Sequence, residues 1–107
     1  MDNALKITDT LDRVIHERAR LGIMTKLAVE GESEFTALKK SLSLSDGNLN
    51  AHLRVLEKHG YISVTKEFVK NRPRTVYQIT DSGRRAFEEY VESLEFFLNS
   101  ISLGEKK

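Results

Sequence analysis

A chain of 107 residues, 39% hydrophobic and 31% charged, suits one domain with a modest core and a wet surface. It contains no run of ~18 apolar residues that would span a bilayer and no charged-then-apolar leader. With no cysteine, disulfides, thiolate metal sites and cysteine nucleophiles are excluded, and a cytoplasmic location is the expectation. The net charge of +1 hides a division along the chain. Residues 39–85 hold ten Lys and Arg against four acids, or +6, and the remainder carries −5. A basic middle between acidic ends is how a face that meets a polyanion is built.

Met1 to Lys6 is expected to fray. A short helix is predicted from Thr8 to Ile15, with Thr8 as cap, Asp9 in the first turn, and Leu11, Val14 and Ile15 as its apolar stripe. A second helix is predicted over Glu17–Val29, with Arg20, Leu21, Met24, Leu27 and Ala28 at helical spacing. Gly22 in its interior costs helix stability, which implies close packing against a neighbour. Gly31 ends this helix. Ser33-Glu34-Phe35 reads as an extended bridge, and Thr36 as the cap of a helix from Ala37 to Leu42. In that helix Leu38 and Leu42 point inward, and Lys39 and Lys40 point outward.

Ser43-Leu44-Ser45 makes a tight turn into the helix around which the chain is organised, Asp46–Lys58. Ser45 stands at its N-cap and Gly60 just past its end. Leu49, Leu53 and Leu56 fall on one side. At ~100° per residue, the other side carries Gly47, Asn48, Ala51, Arg54 and Lys58, with Asn50 at its margin. That side has small, amide-bearing and cationic residues and no acid. A DNA major groove admits such a helix and offers acceptors to Arg and paired edges to Asn.

Beyond Gly60 the period changes from ~3.6 to 2. One strand is predicted over Tyr61–Val69, with Ile62, Val64, Lys66 and Phe68 on one face. A second is predicted over Thr75–Ile79, with Lys70-Asn71-Arg72-Pro73-Arg74 connecting them. Three cations in that connection make a basic tip. Thr80 then caps a last helix with Asp81 in its first turn. Its stripe of Phe87, Tyr90, Val91, Leu94, Phe97, Leu98 and Ile101 is too long and aromatic for a small domain to cover alone. The expected cover is a second copy of the chain, with or without Leu11, Val14 and Ile15.

The order helix, helix, bridge, helix, helix, hairpin, helix resembles the winged helix-turn-helix transcription regulators of the MarR/ArsR-like superfamily. More narrowly, it resembles the small stand-alone winged helix DNA-binding proteins of bacteria and archaea. The matching residues are L-D-R-V-I-H at Leu11–His16, L-S-D-G-N-L at Leu44–Leu49 and H-L-R-V-L-E-K-H-G-Y-I at His52–Ile62. R-P-R-T-V-Y at Arg72–Tyr77 and I-T-D-S-G-R at Ile79–Arg84 complete them.

The resemblance implies a single domain, mainly α with a small β-hairpin. Residues 8–79 would form the winged helix core and 80–101 the dimerisation helix. It implies a homodimer that binds double-stranded DNA sequence-specifically, with helix 46–58 in the major groove and wing 66–76 along the flank. The DNA-binding set is then Lys39, Lys40, Ser45, Asn48, Asn50, His52, Arg54, Lys58, Lys66, Lys70, Arg72 and Arg74, with Arg84 as a further phosphate contact. Ala51 departs from relatives that carry Arg or Lys just before the His, which leaves more to Arg54 and the wing. His52 lies about 60° from the apolar centre, so packing and DNA contact are both open to it.

Other readings fare worse. His16, His52 and His59 form no ligand cluster, so no metal is expected. No G-x-S-x-G, H-E-x-x-H or Gly-rich phosphate loop appears, so no enzyme activity and no cofactor is expected. The remaining alternative is a winged helix used to bind another protein instead of DNA.

Overall fold

The computed structural model describes residues 10–101. The helices among them are α1 (Arg18–Glu30), α2 (Phe35–Leu42), α3 (Asp46–Lys58) and α4 (Asp81–Ser100). The strands are β1 (Ser33–Glu34), β2 (Ile62–Val69) and β3 (Arg72–Ile79), in one antiparallel sheet of order β1-β3-β2. The register pairs Ser33 with Tyr77 on one edge of β3. On the other it pairs Ile62 with Ile79, Lys66 with Thr75 and Phe68 with Pro73.

The core lies where α1, α2 and α3 meet one face of the sheet. Ile23, Met24, Leu27, Leu38, Leu49, Leu53 and Leu56 are fully buried there, with Ile62 and Tyr77 from the hairpin. Gly22 is the close approach its position implied. A Cβ on it would stand 2.7 Å from Leu42 Cδ2 in α2. The turn between α2 and α3 passes through Ser43 at φ 55, and Leu44 packs against the core.

The sequence expectation fails at several places. The helix expected over Thr8–Ile15 begins outside the described residues. What is described of it, from Thr10 on, is a run of turns. Asp12 Oδ1 accepts from the amides of Val14 (2.8 Å) and Ile15 (3.1 Å), and this local side-chain capping replaces the helical ladder. The second helix forms as expected, over Arg18–Glu30, with Glu17 as the N-cap that accepts from the Arg20 amide. Thr36 does not cap α2. That helix begins at Phe35, and its N-cap Glu34 makes no side-chain capping bond.

The hairpin connection is two residues long, not five. Lys70 (φ 53) and Asn71 (φ 65) are both left-handed, as a two-residue turn matched to strand twist requires. β3 therefore begins at Arg72 and includes Pro73. In this register Pro73 sits in a pair without mutual hydrogen bonds, so its missing N–H faces the open edge beyond β1.

Part of the α4 stripe is covered by the chain itself. Leu11, Ile15 and Tyr90 are buried, and Val14, Phe87 and Leu94 pack against them. These six residues pack within one chain, and the part of the stripe left open is Val91, Leu98 and Ile101. Thr80 anchors the start of α4: its Oγ1 accepts from the Gly83 amide (2.9 Å) and donates to the Gly60 carbonyl (2.6 Å). Gly83 sits directly over the Tyr61 carbonyl, where a Cβ would lie 2.0 Å from the oxygen.

Candidate nucleic-acid interface

α3 forms where it was expected because its signals agree. The Asn48 amide donates to Ser45 Oγ (3.2 Å), Asp46 complements the helix N-terminus, and Gly60 (φ 76) takes the left-handed position after the end. With Leu49, Leu53 and Leu56 at or below 1% exposure, the opposite side must face out. Asn48, Asn50, Ala51, Arg54 and Lys58 are all exposed there. Among the described residues no acid forms an ion pair with Arg54, Lys58 or Lys40.

Lys39 is exposed on α2, but its Nζ lies 2.8 Å from Asp46 Oδ1 at the start of α3. Both groups face solvent, so the pair is weak and open to exchange. His52 turns inward. Arg20 Nη1 lies 3.2 Å from its Nδ1, and since a guanidinium can only donate, Nδ1 accepts and Nε2 carries the hydrogen. Glu17 Oε1 is 3.7 Å from the same nitrogen, and Arg20 Nε donates to the Val14 carbonyl (2.6 Å). His52 thus ties α3 to α1, and its reading as a DNA contact is corrected. Desolvation pushes Glu17 upward, but the bond from the Arg20 amide and the charge of the Arg20 guanidinium outweigh it and hold the carboxyl below its usual range.

The wing divides the same way. Lys66, Lys70 and Arg72 are exposed and, among the described residues, in no ion pair. Lys70 holds a left-handed backbone that costs a non-glycine residue about 1–2 kcal/mol. Arg74 is not free. It binds Glu67 directly across the strand pair, Glu34 at 3.1 Å on β1, and approaches Glu32 at 3.9 Å. The hydrogen bonds it donates to Glu34 and Glu67 hold the guanidinium still more firmly charged than usual. Arg74 fastens the wing to β1 on the face away from the core, where it was expected to meet phosphate.

Between α3 and the wing runs an open cleft of about 420 Å³. Asn50 lines one side and Lys66, Pro73, Arg74, Thr75 and Tyr77 the other, with Glu34, Phe35 and Thr36 where β1 runs into α2. Two ties that sequence reasoning missed brace the far side of the domain. The Tyr61 hydroxyl donates to Asp12 Oδ2 (2.5 Å), and Tyr90 Oη lies 2.8 Å from His16 Nδ1. Burial and then the Asp12 bond push the Tyr61 hydroxyl up to about 12. No group of three potential metal ligands assembles among the described residues.

The outward face of α3 with a basic hairpin beside it is the arrangement of a winged helix. A family model for the winged helix DNA-binding domain matches residues 19–98. The chain belongs to that family.

This winged helix is 37% identical over 79 residues to an uncharacterized protein of Methanocaldococcus jannaschii, spanning 74% of this chain and 86% of that one. Among solved structures it is similar to a transcriptional regulator homologue from Pyrococcus horikoshii OT3. The two superpose with a TM-score of 0.84 at 33% identity, over 96% of this chain and all of the other. A transcriptional regulator from Thermotoga maritima gives a TM-score of 0.66 at 25% identity, over 83% of this winged helix and 63% of that chain. Family and neighbours point to a DNA-binding regulator, not to catalysis. No helix of the described residues is long and apolar enough to cross a membrane.

Proposed function

We propose that this winged helix is a sequence-specific regulator of double-stranded DNA that acts as a homodimer. α3 enters the major groove, and the wing lies along the flanking backbone or minor groove. The observation that carries this reading is the outward face of α3. It offers two amides and two cations that are in no ion pair among the described residues, with no acid on that face, at the spacing of successive helical turns. Arg54 is the base reader, because a guanidinium matches the paired acceptors of guanine. Asn48 and Asn50 flank it. Lys40, Lys58, Lys66, Lys70 and Arg72 supply phosphate contacts, and Lys39 joins them by exchanging Asp46 for a phosphate.

The dimer reading rests on what α4 leaves uncovered. Val91, Leu98 and Ile101 are 45–46% exposed. With the half-buried Leu94 they follow a three-four spacing, the seam along which two helices pack. Two copies related by a two-fold axis would set their α3 helices about one DNA turn, ~34 Å, apart and call for a near-palindromic site. Leu98→Glu places a charge on the seam. By sedimentation it should give monomers with intact helical content; a persisting dimer would move the interface off α4. Salt-independent binding to duplex, or none, would favour the protein-interaction reading.

A further inference from the structure

The core-side face of the hairpin does not end where the core ends. Ile62 and Ile79, then Val64 and Tyr77, form its packed part. The next pair outward is Lys66 with Thr75, at the cleft beside α3, and beyond it Phe68 faces Pro73. Phe68 is 77% exposed, the most exposed large hydrophobic residue among those described. No described residue covers it. An aromatic ring held rigidly in a strand, out in water, marks a contact surface more strongly than scattered exposure does.

The charges around the ring select its partner. Lys66 stands on the same face one pair inward and Lys70 forms the turn, while Arg72, paired with Val69, lies on the other face. None of the three is in an ion pair among the described residues. Of the acids of this region, Glu67 lies on the opposite face, and Glu34, at the edge of the cleft, is bonded with it to Arg74. An apolar patch rimmed by unpaired cations suits a surface that alternates apolar and anionic groups at short range. The wall of a DNA minor groove is such a surface, with deoxyribose carbons between phosphates, and proteins that enter it use apolar side chains there.

We infer that Phe68, backed by Pro73, packs on the deoxyribose wall of the minor groove flanking the site of α3, while Lys66 and Lys70 hold the phosphates on either side. The inference deepens the DNA-binding reading and rests on it. It gives the wing an affinity component that salt does not screen, beside the cationic component that salt does.

The test is binding to a mixed-sequence duplex over a salt series, for the wild type and for Phe68→Ser, Phe68→Leu and Lys70→Ala. Phe68→Ser should weaken binding about tenfold at every salt concentration, as loss of a largely buried ring would, with the salt slope unchanged. Phe68→Leu should keep most of the affinity. Lys70→Ala should flatten the slope by about 0.9, the value of one phosphate contact. The chain has no tryptophan, so Phe68→Trp supplies a unique fluorophore whose emission should shift to the blue when duplex is added. Exposure of Phe68 predicts unchanged thermal unfolding for all three of its variants. Wild-type-like binding by Phe68→Ser, or an unmoved emission in Phe68→Trp, overturns the inference while leaving the DNA-binding reading intact. A change of oligomeric state in Phe68→Ser assigns the ring to a protein contact and overturns it too. A wild type that binds no duplex overturns both.

Discussion

Gly83→Ala tests how α4 is seated. In an isolated helix the change is favourable by about 1 kcal/mol, because alanine is the better helix former. Here the added Cβ would stand 2.0 Å from the Tyr61 oxygen and 2.8 Å from its carbonyl carbon. An ordinary carbon–oxygen contact is about 3.3 Å or more, so helix and strand must part by roughly an ångström. Backbone, not a side-chain end, has to yield. The same peptide accepts from the Thr80 amide at 3.0 Å, and Thr80 caps α4, so the shift strains the cap as well. Overpacking of this kind costs about 1–3 kcal/mol or more. A net loss of about 2 kcal/mol lowers the melting temperature of a domain this size by about 8–16 °C.

Thermal unfolding by circular dichroism at fixed protein concentration measures it. Two other glycines calibrate the result. Gly22→Ala meets the end of the flexible Leu42 side chain and should cost less. Gly47→Ala meets nothing within 4 Å and should be neutral or stabilising by up to about 1 kcal/mol. If Gly83→Ala melts at or above the wild type, the close seat of α4 on Tyr61 is wrong.

Three further outcomes follow from the side-chain ties. All three tyrosines have raised pKa values: Tyr61 to about 12 through burial and Asp12, Tyr77 through burial and Glu57, and Tyr90 through burial. Phenolate absorbance should therefore lag behind that of free tyrosine while the protein stays folded. The stabilisation from the Tyr61 tie is complete below pH ~10 and fades as the pH rises toward 12; a tyrosine titrating normally in the folded state would contradict it. Glu17 is held below its usual 4.5, so its contribution is present above that pH and is lost as the pH falls through its folded value. Glu17→Gln should flatten the acid limb of the stability profile, and an unchanged limb would refute the tie to Arg20. Arg74→Ala should lower stability, since it leaves Glu34 and Glu67 facing each other unneutralised. Arg72→Ala should leave stability alone and weaken DNA binding; the reverse pattern in urea melts and binding curves would exchange the two roles.

Much of the reading frame of the fold was visible in the residues. The bounds of α3 were legible because cap, periodicity and terminal glycine agreed at Ser45, Leu49–Leu56 and Gly60. The packing role of Gly22 was legible because a helical glycine needs a reason. The wing turn was misjudged because Asn71 and Pro73 both signal a loop. Only pairing with β2 shows that Pro73 lies in a strand with its missing donor facing outward. The same error hid Arg74: once the turn is two residues, Glu67 falls opposite it, and the basic tip loses one of its three cations. The α4 stripe showed that a long apolar surface exists. It did not show which part the chain covers, because that depends on how the segment around Leu11 and Ile15 packs. The inward turn of His52 likewise depended on Arg20, thirty-two residues away.

The central claim is that α3 reads base sequence through Arg54. Selection from a randomised duplex pool, run in parallel with wild type and Arg54→Ala, tests it most directly. The account predicts an enriched near-palindrome for the wild type. It also predicts loss of preference in Arg54→Ala at the guanine-bearing positions of each half-site, by about 1–3 kcal/mol of discrimination, with the salt slope nearly kept. The same motif enriched with the same strength by both proteins would contradict it.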